Sequence, residues 1–194
     1  YVREYGIEGY RVDACMGSKE PNWDPGITYS RASLAGLWGG LRMVERIRAT
    51  VKGIRPDEGA ILAETQSARH APFCDFMYDF RLCYETLHGW RKMPAAEFAA
   101  ALAQNLEDQR QVAPPGMVWL RHIESHDSLR SQLWYGVGGM RALYALSAWI
   151  DGVPMIYQEM ETGHAPALRW INEVRRSRPE LARGTANYRD ARCD

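Results

Sequence analysis

Apolar positions recur along this chain with two periods, and each period marks a kind of element. Residues 9–13 (GYRVD) form a short β-rich segment with its charge at the far end. From about Ser30 to Gly53, Leu34, Leu37, Leu41, Val44 and Ile47 return at three- and four-residue intervals, which predicts an amphipathic helix. Residues 59–63 (GAILA) are a brief apolar run that closes on Glu64 and reads as a buried strand. A further strand is predicted at 74–79 (CDFMYD), followed by a helix over about 80–90 and an Ala-rich helix from Pro94 to Glu107. Pro114-Pro115-Gly116 then breaks the chain ahead of a strand beginning Met117-Val118-Trp119-Leu120. Beyond it come a helix over 139–150, a strand at 153–157 and an amphipathic helix over 167–181, with Leu168, Ile171 and Val174 on one side. Residues 18–29 (SKEPNWDPGITY) read as a loop, and Gly138-Gly139 as a helix boundary, since no GxxxxGK pattern follows.

Strands that alternate with helices, through connections too long for hairpins, predict a parallel sheet covered by helices. The fold class is therefore α/β, in a chain of 194 residues that can bury a real core. The formal charge is zero, with 24 basic and 24 acidic residues and no basic tract. That balance argues against nucleic acid or an anionic membrane as the main partner and suits a neutral ligand. Cys15, Cys74, Cys83 and Cys193 form no CxxC pair, so neither a zinc site nor a redox motif is expected. No apolar run approaches the ~20 residues of a membrane span. Position 1 is Tyr, and the chain is expected to be cut from a longer one, with the cytoplasm as its compartment.

The chemistry collects where strands end. Asp13, Glu64 and Asp127 each follow a predicted strand, and in a parallel α/β barrel all strand C-termini open on one catalytic face. A single acid in such a place is ordinarily a solvated residue or a cap. Three on one rim are not explained by stability, because clustered like charges repel. They suit glycoside chemistry, in which one carboxylate attacks and one carboxylic acid protonates the leaving oxygen. His122 and His126 share a strand face without a third ligand, and no metal is predicted.

These residues carry a resemblance. GYRVDA (9–14), ILAET (61–65) and HIESHD (122–127) resemble three sequence regions of the α-amylase superfamily, in the same order. GVPMIYQEME (152–161) resembles that family's last barrel strand, and INEVRRSRPELARG (171–184) its final helix. The resemblance implies a (β/α)8 TIM barrel of which this chain holds strands four to eight. Residues 1–184 would be the C-terminal half of the catalytic barrel, and residues 185–194 the start of a truncated C-terminal β-domain. The missing N-terminal half would be the chain's own partner, and the fragment is expected to be inactive alone.

The implied activity is retaining hydrolysis of α-glucosidic bonds in oligo- or polysaccharides, without a cofactor. Asp13 would be the nucleophile, Glu64 the general acid–base, and Asp127 the group that binds sugar hydroxyls. Arg11 lies two residues before Asp13, on the same strand face, and would hold it ionised. His126 would donate to the same sugar, Trp23 would stack on one, and Arg130 would steer the rim of the site. Two departures stand out. Ser125 replaces the Asn usual before His-Asp, and Met16 and Gly17 replace a Lys-His pair that in many relatives holds sugar on the leaving-group side and supports calcium. A transglycosylase of the same superfamily and a non-catalytic carbohydrate-binding or partner subunit stay open as alternatives.

Overall fold

The computed structural model describes residues 1–13, 15, 33–184 and 186–188. They group into two compact units, Tyr1–Tyr78 with Pro114–Val118, and Asp79–Ala113 with Trp119–Asp194. The first holds α1 (Val2–Tyr5), β1 (Gly9–Val12), α2 (Ser33–Ile54), β2 (Ala60–Ala63) and β3 (Phe76–Tyr78). Its strands are parallel and adjacent in chain order, with Gly9 opposite Ala60, Val12 opposite Ala63 and Leu62 opposite Phe76. A Cβ at Gly9 would stand 2.3 Å from the Ala60 carbonyl oxygen, so this close approach requires glycine. The ladder runs one residue past the strand ends, where the Glu64 N–H donates to the Val12 carbonyl at 3.0 Å.

The sheet of this unit is covered by α2, whose Val44 and Val51 are fully buried, as are Ile61, Ala63 and Met77 of the strands. The 3.6-residue period seen in the sequence is this buried face. At the foot of β3, Asp75 accepts the Ile61 N–H at 2.8 Å and pairs with Lys52 at 3.1 Å, which accounts for a carboxylate at the start of a buried strand. A short 3-10 segment, Ala68–Phe73, joins β2 to β3 through a stretch without periodic apolar positions.

The second unit holds α3 (Ala95–Val112), β4 (Trp119–Arg121), α4 (Ser131–Trp149), β5 (Val153–Pro154), α5 (Ala165–Ser177) and α6 (Pro179–Arg183). β4 and β5 are parallel, with Leu120 opposite Val153. The helix predicted over 80–90 is present in an altered form, a wide π turn at Arg81–Thr86 running into a 3-10 turn at Leu87–Gly89. Leu82, Leu87, Ile123, Met140, Leu143 and Leu168 are central to its core.

Three predicted helices have different bounds, and the first, α3, runs on past the predicted Glu107 to Val112. α4 begins at Ser131, eight residues before the predicted 139–150, because the helix continues through Gly138-Gly139 and across a kink at Gly136. Gly136 takes φ 74°, a left-handed conformation suited to glycine. Gly139 lies inside the helix, where a Cβ would stand 3.1 Å from the Trp90 ring. The predicted 167–181 helix is split at Arg178, since Pro179 forces the preceding residue out of helical geometry and then starts α6. The predicted strand at 153–157 is shorter, only Val153–Pro154.

Arg121 is 1% exposed and is held by four acceptors of this unit. Its guanidinium donates to Asp79, to Gln109 Oε1 at 2.6 Å, to Asp151 Oδ1 at 2.8 Å and to the Asp151 carbonyl at 2.8 Å. Tyr188 donates to the same Asp151 carboxylate at 2.6 Å. Of the predicted β-domain start at 185–194, residues 186–188 are described, and residues 185 and 189–194 lie outside the described residues, as does the 18–29 loop. No helix among the described residues is long and apolar enough to cross a membrane.

Candidate active site

In the first unit, Asp13 follows β1 and Glu64 follows β2, one residue past each strand's C-terminal end. Because β1 and β2 are parallel and in register, the two acids emerge side by side, with carboxylate oxygens within 4.8 Å of one another. Arg11, two residues back on β1, reaches both. One guanidinium nitrogen donates to Asp13 and the other to Glu64 Oε1 at 2.5 Å. Its Nε donates to the Tyr78 hydroxyl at 3.3 Å, and the guanidinium lies 5.6 Å from that ring's centre. Burial opposes the charge on Arg11, but its hydrogen bonds to Asp13 and Tyr78, with the fields of Tyr78 and Glu64, raise its pKa above the usual value. Asp13 is the exposed member at 72%, whereas Glu64 is 15% exposed. This geometry places a solvent-facing carboxylate beside a sheltered one, with a permanent cation between them. Arg11 already supplies the positive charge that a metal ion would bring to this pair.

In the second unit the stretch Glu124-Ser125-His126-Asp127 divides into structural and accessible halves. Glu124 is buried, accepts the Ser131 N–H at the start of α4 at 2.5 Å, and pairs with Arg130 at 2.9 Å. A carboxylate on a helix N-terminus meets both the unbonded N–H groups and the positive end of the dipole. Ser125 closes the turn, its N–H donating to Ser128 Oγ at 2.8 Å and its Oγ accepting the Asp127 N–H at 3.2 Å. His126 and Asp127 stand out into solvent, 48% and 61% exposed, with His126 Nε2 3.2 Å from Asp127 Oδ2.

Arg130 is engaged with its own unit. It donates to Glu124, to the Gln158 carbonyl at 2.6 Å and to Glu159 Oε2 at 2.9 Å, and lies 4.9 Å over the Tyr157 ring. The hydrogen bond to Glu124 raises its pKa. These contacts fasten the segment after β5 to the start of α4. Trp23 lies outside the described residues, as do Met16 and Gly17.

Sequence reasoning singled out Arg11, Asp13, Glu64, His126 and Asp127, and missed Tyr78. The missed signal was positional, since Tyr78 ends the third parallel strand of the first unit as Asp13 and Glu64 follow the other two.

No protein-family model matches the chain, and no curated protein sequence matches it. Solved structures do. An α-amylase from Lactobacillus plantarum aligns with a TM-score of 0.66 and 16% identity, over 90% of this chain and 44% of that one. An α-amylase from Anoxybacillus aligns with a TM-score of 0.68 and 13% identity, over 93% of this chain and 42% of that one. A cyclic α-maltosyl-(1→6)-maltose hydrolase from Arthrobacter globiformis, in complex with maltose, aligns with a TM-score of 0.61 and 20% identity, over 91% and 42%. The chain thus has the fold of part of a (β/α)8 barrel of the α-amylase kind, and it spans less than half the length of these structures.

Proposed function

We propose that the chain is the C-terminal part of an α-amylase-superfamily catalytic barrel and that the whole protein hydrolyses α-glucosidic bonds with retention. The observation that carries this reading is the pair of acids on adjacent parallel strand ends, joined through Arg11. Retaining glycosidases keep their two carboxyl groups about 5–5.5 Å apart, and inverting ones about 6.5–9.5 Å apart to admit a water. Oxygens of Asp13 and Glu64 within 4.8 Å favour the first arrangement. The structural likeness to α-amylases supports the substrate class.

In this reading Asp13 attacks the anomeric carbon while Glu64 protonates the departing oxygen. Glu64 then takes a proton from the water that releases the glycosyl group. For Glu64 to act as the acid, its contact with Arg11 has to give way to substrate, leaving Arg11 on Asp13. Asp127 and His126 are assigned to sugar hydroxyls, on their exposure and on the resemblance of HIESHD.

The test is product sizing. The whole protein that contains this chain, beside its Asp13→Asn form, is incubated with an α-1,4-linked malto-oligosaccharide. Shorter chains from the parent and none from the variant are expected. Longer chains would replace hydrolysis by transglycosylation, and unchanged sugar from both would overturn the reading.

A further inference from the structure

The Arg11 guanidinium has three nitrogens, and each donates to a different residue. One terminal nitrogen donates to Asp13, the other to Glu64 Oε1 at 2.5 Å, and Nε to the Tyr78 hydroxyl at 3.3 Å. The reaction assigned above uses the two carboxylates and gives Tyr78 no role. Its place follows from the sheet. Val12 is opposite Ala63 and Ala63 opposite Met77, so the residues that come next, Asp13, Glu64 and Tyr78, stand in one row across the first unit. Side chains alternate along a strand, which puts Arg11, two residues before Asp13, on the face this row presents. The fully buried Met77 anchors the end of β3.

Tyr78 is 5% exposed, against 15% for the Glu64 side chain and 72% for that of Asp13. A side chain so covered offers a substrate almost no surface, and it acts on the site through Arg11. That contact is double. The hydroxyl accepts from Nε, and the ring centre lies 5.6 Å from the guanidinium, within cation–π range. The phenol is also a neutral acceptor. A third carboxylate in its place would add to the repulsion between Asp13 and Glu64, whereas the phenol holds the cation without that charge.

We infer that Tyr78 is a positioning residue that keeps Arg11 on Asp13 when Glu64 lets go. In the proposed reaction Glu64 leaves Arg11 to protonate the departing oxygen. A guanidinium joined to Asp13 alone would be free to follow the moving Glu64 carboxylate or to swing about that one bond. The Nε bond to Tyr78 supplies a second fixed point, and two points set the plane of the rigid fork. Arg11 thereby goes on favouring the ionised, nucleophilic form of Asp13 while Glu64 carries its proton. The inference rests on the glycosidase reading and adds a residue that touches no substrate.

The experiment compares the whole protein with its Tyr78→Phe form, which keeps the buried ring and removes the acceptor. In malto-oligosaccharide hydrolysis, kcat is expected to fall about 2- to 10-fold with KM little changed. The acid limb of the kcat/KM profile is expected to move about half a pH unit upward, because a looser Arg11 holds Asp13 ionised less well. NMR reads the contact itself, without turnover. The Arg11 Nε–H resonance, identified by its loss in Arg11→Lys, is expected to exchange with water about 2- to 10-fold faster in Tyr78→Phe. Unchanged kcat, or unchanged Nε–H exchange beside a lowered kcat, would overturn the positioning role. A loss confined to KM would overturn it in favour of a sugar contact. In each of these outcomes the parent still turns over and the glycosidase reading stands. A parent that leaves the sugar unchanged refutes both.

Discussion

Arg121→Met is the perturbation for which the second unit gives the clearest magnitude. Arg121 and Asp79 are each 1% exposed, so neither charge is reached by water, and each depends on the other. Removing the guanidinium leaves the Asp79 carboxylate with two neutral donors, the Leu82 N–H at 3.0 Å and Gln109 Nε2 at 2.7 Å. Breaking a buried pair from one side costs about 3–5 kcal/mol, because the remaining charge is stranded. Against a total stability of about 5–15 kcal/mol this is a large share. For a chain of this size it amounts to a fall in melting temperature of about 6–20 °C.

Asp151 provides the internal control. It bonds the same guanidinium but is 45% exposed, so Asp151→Asn is expected to cost about 1 kcal/mol or less. The double variant Asp79→Asn/Arg121→Met removes both charges and is expected to recover more than half of the single loss. Urea titration followed by circular dichroism measures all four proteins. An Arg121→Met loss below about 1 kcal/mol, or a double variant no more stable than Arg121→Met, would refute the account of a stranded charge.

The other predictions concern the candidate site and its surroundings. Arg11→Lys keeps the charge but cannot fork between Asp13 and Glu64, so malto-oligosaccharide turnover by the whole protein should fall about tenfold or more, with little change in melting temperature. Glu159 holds φ 68°, so Glu159→Gly and Glu159→Ala both lose the Arg130 partner but only glycine relieves the backbone. The glycine form should be the more stable by about 1 kcal/mol in urea titration, and equal stabilities would contradict the strain. His122 has its pKa lowered by burial, against the opposing Leu120 carbonyl and Asp79 and with His88 adding to the fall. The unfolded chain therefore binds a proton below about pH 6.5 that the folded chain resists, and stability drops as pH falls through that value by up to about 1.4 kcal/mol per unit. His122→Gln should flatten that acid limb, and an unchanged limb would assign it to other groups.

The elements legible in the sequence were those whose signal is local. Leu41, Val44 and Ile47 repeat with the helical period because that face of α2 is buried or half-buried, and GAILA is apolar because β2 is covered. Helix bounds failed where a glycine had a meaning that local rules do not encode. A Cβ at Gly139 would be crowded by Tyr135 Cβ at 2.9 Å and by the Trp90 ring at 3.1 Å, the latter a neighbour 49 positions away, and the glycine reads in sequence like the end of a helix. The π turn has no distinguishing pattern, since its residues differ from ordinary helix mainly in how the backbone is wound.

The candidate site divides along the same line. Arg11 and Asp13 were legible because strand alternation alone puts them on one face, and Glu64 because a carboxylate after an apolar run is conspicuous. That Arg11 spans both acids depends on the register of β1 against β2, which only the fold supplies. In the stretch at 124–127 residue type was a poor guide to role, since two carboxylates three positions apart have opposite fates. Glu124 is taken out of water by the N-terminus of α4, a helix whose true start was hidden behind Gly136. Asp127 meets no such helix end and stays exposed. A buried carboxylate with its hydrogen-bonding capacity filled by a helix and an arginine holds the turn in shape. The exposed one, beside His126, is the group to which the proposed function gives the substrate contact.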